Sequence, residues 1–366
     1  MGQDIHQGYI SSVSERNHGI DLLRIVSMFM VLLLHILGHG GVLKATAPGT
    51  PQNTAAWTLE TLAYCAVNCY ALISGYVGIR GKYKYSNFAL IWLQTVFYTL
   101  IITTLFFAFS DVPLVKGSFT RALLPVKSSS YWYLTAYACM FFFIPALNTL
   151  VNSLQKKQAF AIVITVIVLF TVLSTFAKSE LLSFKVNDLF VTSGGYSPLW
   201  LCLLYIIGAF ISKYQDSFKI KPIICFALYF LLSVITLLEK LFVKKSVLIN
   251  YTSPTVLFCA ILLLIGFSQL KCKFGKKIIS FFAPLSFSVY LIHENSLVRN
   301  EFITERFSKL ASFSALKLII CVVFAAAVIY IVCSAIDLIR HYLFKGLKLK
   351  ARLSKLEDRL THGLWK

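Results

Sequence analysis

Long apolar runs, separated by short polar or basic segments, set the pattern of this chain. Runs of about 20 apolar residues match the length of a helix that crosses a bilayer. They predict spans over 20–40, 58–79, 87–109, 131–151, 158–177, 197–212, 222–243, 251–270, 279–298 and 316–343. The runs are too long for strands and do not alternate polar with apolar positions, which argues against a closed barrel. Pro198, Pro222 and Pro254 stand near the starts of three runs, where proline's missing N–H costs no helical hydrogen bond. The expected fold is an all-α integral membrane protein, a bundle of about ten transmembrane helices. It divides into an N-terminal segment 1–19, a transmembrane domain 20–343 and a basic tail 344–366. The first run follows a polar stretch and has no small-residue cleavage site, so it is expected to remain as a span.

Composition sharpens this picture. Of the 366 residues 58% are hydrophobic and 14% charged, against about 25% charged in a soluble domain, and the mean hydropathy is +0.75. These values exclude a soluble enzyme, a disordered tail protein and a secreted disulfide scaffold. A formal charge of +20 would point to nucleic acid in a soluble chain. Spread over membrane loops, it reads instead as an orientation signal, and no nucleic-acid partner is expected. Base is dense in Arg80–Lys84, in Lys271–Lys277 and in the tail, whereas 41–57 carries only Lys44. This bias predicts that both termini are cytoplasmic and that the protein sits in a cell membrane, taken as the bacterial cytoplasmic membrane. The cysteines lie mostly inside apolar runs without a metal-type Cys-x-x-Cys pair and read as reduced packing residues. The tail alternates base with Leu and Phe, which fits either an amphipathic helix on the inner leaflet or a solvated tail.

Ionisable groups inside spans carry the chemistry. Arg24 and His35 lie eleven residues apart in the first span, about three helical turns, so they share one face about 16 Å apart along the axis. Asp21 is placed to pair with Arg24 one turn away. His39 is expected at the interface, and Glu294, next to His293, is expected to point away from it as an interfacial charge. Asn68, Ser74, Gln94 and Trp132 are candidates to line a pore, or to join helices by hydrogen bonds. Asp337, Arg340 and His341 are spaced for a structural ion pair.

Four phrases in order carry a family resemblance. They are Gly19-Ile-Asp-Leu-Leu-Arg24 with His35 beyond it, Ser74-Gly75-Tyr76, Trp132-Tyr133-Leu134 with Pro145 beyond it, and Ser286-Phe-Ser-Val-Tyr290-Leu-Ile-His293. Together they resemble the membrane-bound acyltransferase family 3, integral membrane enzymes that acylate sugars and other acceptors from acyl-CoA. The resemblance covers nearly the whole chain. It implies an O-acyltransferase, most simply an O-acetyltransferase, with Arg24, His35 and His293 as catalytic residues. It also implies acetyl-CoA as the donor, held at Arg24, Arg80, Lys82 and Lys84, and a cell-envelope polysaccharide or glycolipid acceptor near Asn68, Ser74, Trp132 and Tyr290. No metal is expected. Many members carry an Arg-x-x-Arg pair entering the third span, and here Arg80, Lys82 and Lys84 would stand in for it. His35 would act as general base, by direct transfer or through an acyl-histidine. Two other readings remain open on the residues alone. One is a transporter or exporter of a glycan or small solute. The other is a relative that senses or binds a ligand without catalysis.

Overall fold

The computed structural model describes residues 16–126, 131–178, 192–243, 246–272 and 274–364. Residues 1–15 of the N-terminal segment and most of the 178–196 loop lie outside the described residues. Among the described residues every regular element is helical. The main helices are α1 His18–Leu37, α2 Pro51–Ala63, α3 Ala66–Gly78, α4 Tyr85–Phe109, α5 Trp132–Ser153, α6 Lys156–Ile167 and α7 Pro198–Lys213. They continue with α8 Pro222–Leu238, α9 Pro254–Ser268, α10 Lys276–Phe282, α11 Ser286–His293, α12 Ser296–Phe302, α13 Ala315–Gly346 and α14 Leu349–Leu364. The prolines foreseen as helix starts open α7, α8 and α9, and the serines before α7 and α9 cap the following turn through their side chains.

Six helices are long and apolar enough to cross a membrane, and α7 and α9 are shorter apolar helices. Two predicted spans are broken. The run at 58–79 divides at Tyr64 and Cys65 into α2 and α3, and the run at 279–298 divides into α10, a 3-10 turn Ala283–Leu285, α11 and α12. Apolar character reports burial and not helical continuity, so the runs concealed both breaks. Irregular backbone at such depth is tolerated where it is enclosed by protein, and the second break puts His293 at a helix end.

The perimeter is apolar, with Phe107, Phe230, Phe324 and Ile339 exposed, while Asn68, His293, Asp337 and Arg340 are buried. That inversion of a soluble fold is what a hydrocarbon solvent demands. Arg340 holds Asp337 through two hydrogen bonds of 2.8 and 2.7 Å, and the Tyr98 hydroxyl donates to the same carboxylate. The ion pair expected from the i, i+3 spacing therefore ties α13 to α4.

Helices α3 and α7 pack at backbone contact in the bundle's core. A Cβ on Gly75 would lie 2.0 Å from the Tyr205 carbonyl oxygen, and one on Gly208 would lie 2.0 Å from the Leu72 carbonyl oxygen. Two glycines on facing helices thus let the backbones touch, the small-residue packing that replaces the hydrophobic effect inside a membrane. The Ser74-Gly75-Tyr76 phrase owes its middle residue to this contact.

Candidate active site

Helix α1 starts at Asn17, whose side chain accepts from the amides of Gly19 and Ile20 at 2.9 and 3.2 Å. This cap fixes the register from which Arg24 and His35 project along one face. Each borders a different cavity. The first cavity has a volume of about 540 Å³ and is bordered by Arg24, Ser74, Lys82 and Lys84. The second has about 390 Å³ and is bordered by His35, His39, Trp132, Tyr290, Glu294 and Arg299. Tyr70, Tyr133 and Phe287 border both. These three rings form a partition between the chambers. The Tyr70 hydroxyl is fixed to the Arg24 carbonyl at 2.7 Å, while the Tyr133 hydroxyl is buried with no hydrogen-bond partner among the described residues.

In the first chamber the Arg24–Asp21 pairing is present at 2.6 Å. Asp21 also accepts from the Arg16 guanidinium, so one buried carboxylate orients two cations. Lys84 donates to Ser354 of α14 at 3.0 Å. Arg80 is not among the cavity's lining. Its guanidinium donates to the Ser212 carbonyl and ties the end of α3 to α7.

The second chamber contains a connected set of titratable groups. His35 Nδ1 lies 2.8 Å from His293 Nε2 and 3.0 Å from a Glu294 carboxylate oxygen. The other oxygen of Glu294 accepts from Arg299 at 2.5 Å. His293 Nδ1 lies 2.5 Å from the Val289 carbonyl one turn earlier in α11. A carbonyl oxygen only accepts, so a neutral His293 carries its proton on Nδ1 and offers a bare Nε2. The proton between the rings must then sit on His35 Nδ1 and be donated to His293 Nε2, while the nearby Glu294 oxygen, which accepts no hydrogen bond among the described residues, acts on His35 through its charge. A neutral His35 is left with its lone pair on Nε2, the nitrogen a base uses.

Glu294 was expected to point away from His293, and the structure corrects this. It follows the last residue of α11 as the C-cap, where the even angular steps of a helix no longer decide direction. Its side chain is buried against His35. Arg299 comes from α12 and was not visible as a site residue in the sequence, although its five-residue spacing from Glu294 across a helix end is a faint signal. His39, one turn beyond His35, has its ring centre 5.0 Å from the His35 ring and borders the same chamber. The ligating atoms of His35, His39 and Glu294 lie within 4.8 Å of one another, so they are the residues that could hold a metal ion. Two of the three already have strong partners: the Arg299 cation on Glu294, and His293 on His35.

Aromatic rings make the rest of this chamber. Trp132 lies 4.5 Å from the Tyr196 ring and 6.2 Å from the Tyr251 ring, and Tyr64 lies 5.0 Å from Tyr251. Glu60 is a further buried carboxylate in the wall. Asn68 is set behind the wall: its amide donates to the Tyr251 carbonyl at 2.8 Å and its oxygen accepts from the Trp200 indole at 3.1 Å. Ser74 faces the other chamber and donates to the Tyr70 carbonyl at 2.9 Å. The sequence-derived set is thus divided. His35, Trp132 and Tyr290 border one chamber, with His293 behind His35 and outside the lining, Arg24, Ser74, Lys82 and Lys84 border the other, and Asn68 and Arg80 border neither. Tyr64, Tyr70, Tyr196 and Tyr251 escaped sequence reasoning because a membrane protein has many aromatic residues at helix ends.

A family model of the acyltransferase domain matches residues 17–336. The chain belongs to this family, the acyltransferase 3 family. It is accordingly an integral membrane enzyme of acyl transfer. The matched region takes in every residue bordering the two chambers except Arg16 and ends before α14. No curated protein and no solved structure matches the chain.

Proposed function

We propose that this acyltransferase moves an acyl group, acetyl from acetyl-CoA in the simplest case, onto a hydroxyl of a cell-envelope polysaccharide or glycolipid, with His35 as general base. The observation that carries the reading is the pinned His35 ring, with Nδ1 hydrogen-bonded to His293 and set beside the Glu294 carboxylate and Nε2 left as the basic nitrogen. The donor's pyrophosphate belongs with the Arg24, Lys82 and Lys84 chamber, which has the right charge. The neutral pantetheine arm passes the Tyr70–Tyr133–Phe287 partition, where the unpartnered Tyr133 hydroxyl can meet one of its amides. Sugar acceptors suit the Trp132, Tyr196 and Tyr251 wall, since aromatic faces combined with a few polar groups are the usual lining of such sites.

In the reaction the acceptor oxygen attacks the thioester carbonyl and gives its proton to His35 Nε2. The imidazolium so formed is stabilised through Nδ1 by the Glu294 carboxylate, which Arg299 holds in place. The tetrahedral intermediate collapses by breaking the carbon–sulfur bond. The thiolate takes the proton back from Nε2, which leaves an ester, free CoA thiol and neutral His35. General-base assistance of this kind contributes about 10²–10⁴-fold. His35→Ala should therefore lose at least about 10²-fold in acetyl transfer while keeping the wild-type melting temperature. The assay is mass detection of acetylated envelope glycan in cells that carry each variant. Undiminished acetylation by His35→Ala would end the reading.

A further inference from the structure

A third cavity, of about 860 Å³, adjoins the Arg24 chamber and has no part in the mechanism above. Arg16 borders both. The same turn of α3 contributes Tyr76 to this cavity and Val77 and Gly78 to the Arg24 chamber. Its wall carries four cations, Arg16, Lys219, Lys271 and Lys276, against one carboxylate, Asp216, which Lys219 pairs at 3.1 Å. Apolar surface comes from Ile211, Phe218, Ile265 and Leu270. His18 Nδ1, on the same wall, is buried and has no hydrogen-bond partner among the described residues.

We propose that this cavity is a nucleotide site, which takes the adenosine 3′-phosphate end of the acyl-CoA donor and leaves the Arg24 chamber for the pyrophosphate and the arm. The inference rests on acyl-CoA being the donor. Its argument is a division of chemistry. The donor has a wide, strongly anionic end with a flat base and a narrow, neutral end. The protein has a large chamber with four cations and apolar walls, followed by a smaller chamber that shares three aromatic rings with the His35 chamber. Its volume lies within the range of about 300–1,000 Å³ usual for small-ligand sites. Arg16 stands at the junction and is oriented by Asp21, the carboxylate that also holds Arg24. A guanidinium has five N–H donors, so each arginine can bind phosphate oxygen while it keeps Asp21. The basic cluster Lys271–Lys277, read in the sequence only as an orientation signal, supplies two of the cations and so acquires a ligand.

The test uses the full-length protein in nanodiscs and adenosine 3′,5′-bisphosphate as the probe, with titration calorimetry and competition against acetyl-CoA. The probe should bind and compete. Charge reversal at Lys271→Glu with Lys276→Glu should weaken both the probe and acetyl-CoA about tenfold or more and place the kinetic loss in KM. The neutral pair Lys271→Ala with Lys276→Ala should give a smaller loss in the same direction at an unchanged melting temperature. Acetyl-CoA that binds while the probe does not, or probe affinity indifferent to both pairs of substitutions, overturns the nucleotide site and leaves the enzyme reading intact. Failure of acetyl-CoA itself to bind would remove acyl-CoA as the donor and this site with it.

Discussion

At the scale of single residues, the chamber around His35 depends on one hydrogen-bond direction. The Val289 carbonyl fixes the proton of His293, that proton fixes the proton of His35, and Glu294 adds a charge to the same nitrogen. Glu294→Gln keeps the shape but removes the negative charge that stabilises the imidazolium. It should lower kcat by about 10–100-fold with little change in KM for the acceptor, a loss of about 1.4–2.8 kcal/mol in transition-state stabilisation. Steady-state kinetics on the purified variant checks this, and an unchanged kcat would show that Glu294 is only the counter-ion of Arg299. His35 and Arg24 were legible in the sequence because one continuous helix relates them and its angular step is constant. Glu294 and Arg299 were not, because they flank a helix end, where direction depends on tertiary packing.

Among the helices, stability and attachment each reduce to a few contacts. A β-branched side chain at Gly208 must displace the Leu72 carbonyl that its first carbon would overlap. Gly208→Val should cost about 2 kcal/mol or more and show as early thermal aggregation in detergent. Gly208→Ala should be milder and still destabilising. Helix α14 is attached differently. The Glu357 carboxylate accepts from the amides of Tyr85 and Ser86 at 2.7 and 3.1 Å, and so caps the start of α4 from outside. Burial raises the pKa of this group, but the Ser86 and Tyr85 hydrogen bonds and the nearby Lys84 outweigh it and set the pKa below the ordinary 4.5. A lowered pKa means that the attachment is complete above about pH 4.5 and is lost as the pH falls through the lowered value. Protease sensitivity of the tail should rise under acid conditions in the wild type and be pH-independent in Glu357→Gln. Of the elements, the long spans were visible from pattern alone, while the pattern of the tail left its helix as one of two readings. The two broken spans were not, since a run of apolar residues reads the same whether the helix inside it is continuous or interrupted.

Over the whole molecule, the +20 charge has two uses. Loops rich or poor in base set the expectation for its sidedness. Its concentration around Arg16, Arg24, Lys82, Lys84, Lys271 and Lys276 emerges only when distant segments fold together. The two chambers, one on each side of Tyr70, Tyr133 and Phe287, have an electrical consequence. Water and salt in both chambers would carry each bulk potential inward, so the voltage across the membrane would fall almost entirely over three side chains. The partition then acts as the insulator of a capacitor far thinner than the surrounding bilayer, whose hydrocarbon is about 30 Å thick. Tyr133→Ala should perforate it, giving an ion leak in voltage-clamped proteoliposomes that the wild type lacks. Normal resistance in that variant would place the barrier elsewhere. An enzyme that passes an acyl group through its centre must seal that centre against current, and on the proposed route the sealing falls to the same rings the acyl chain would pass.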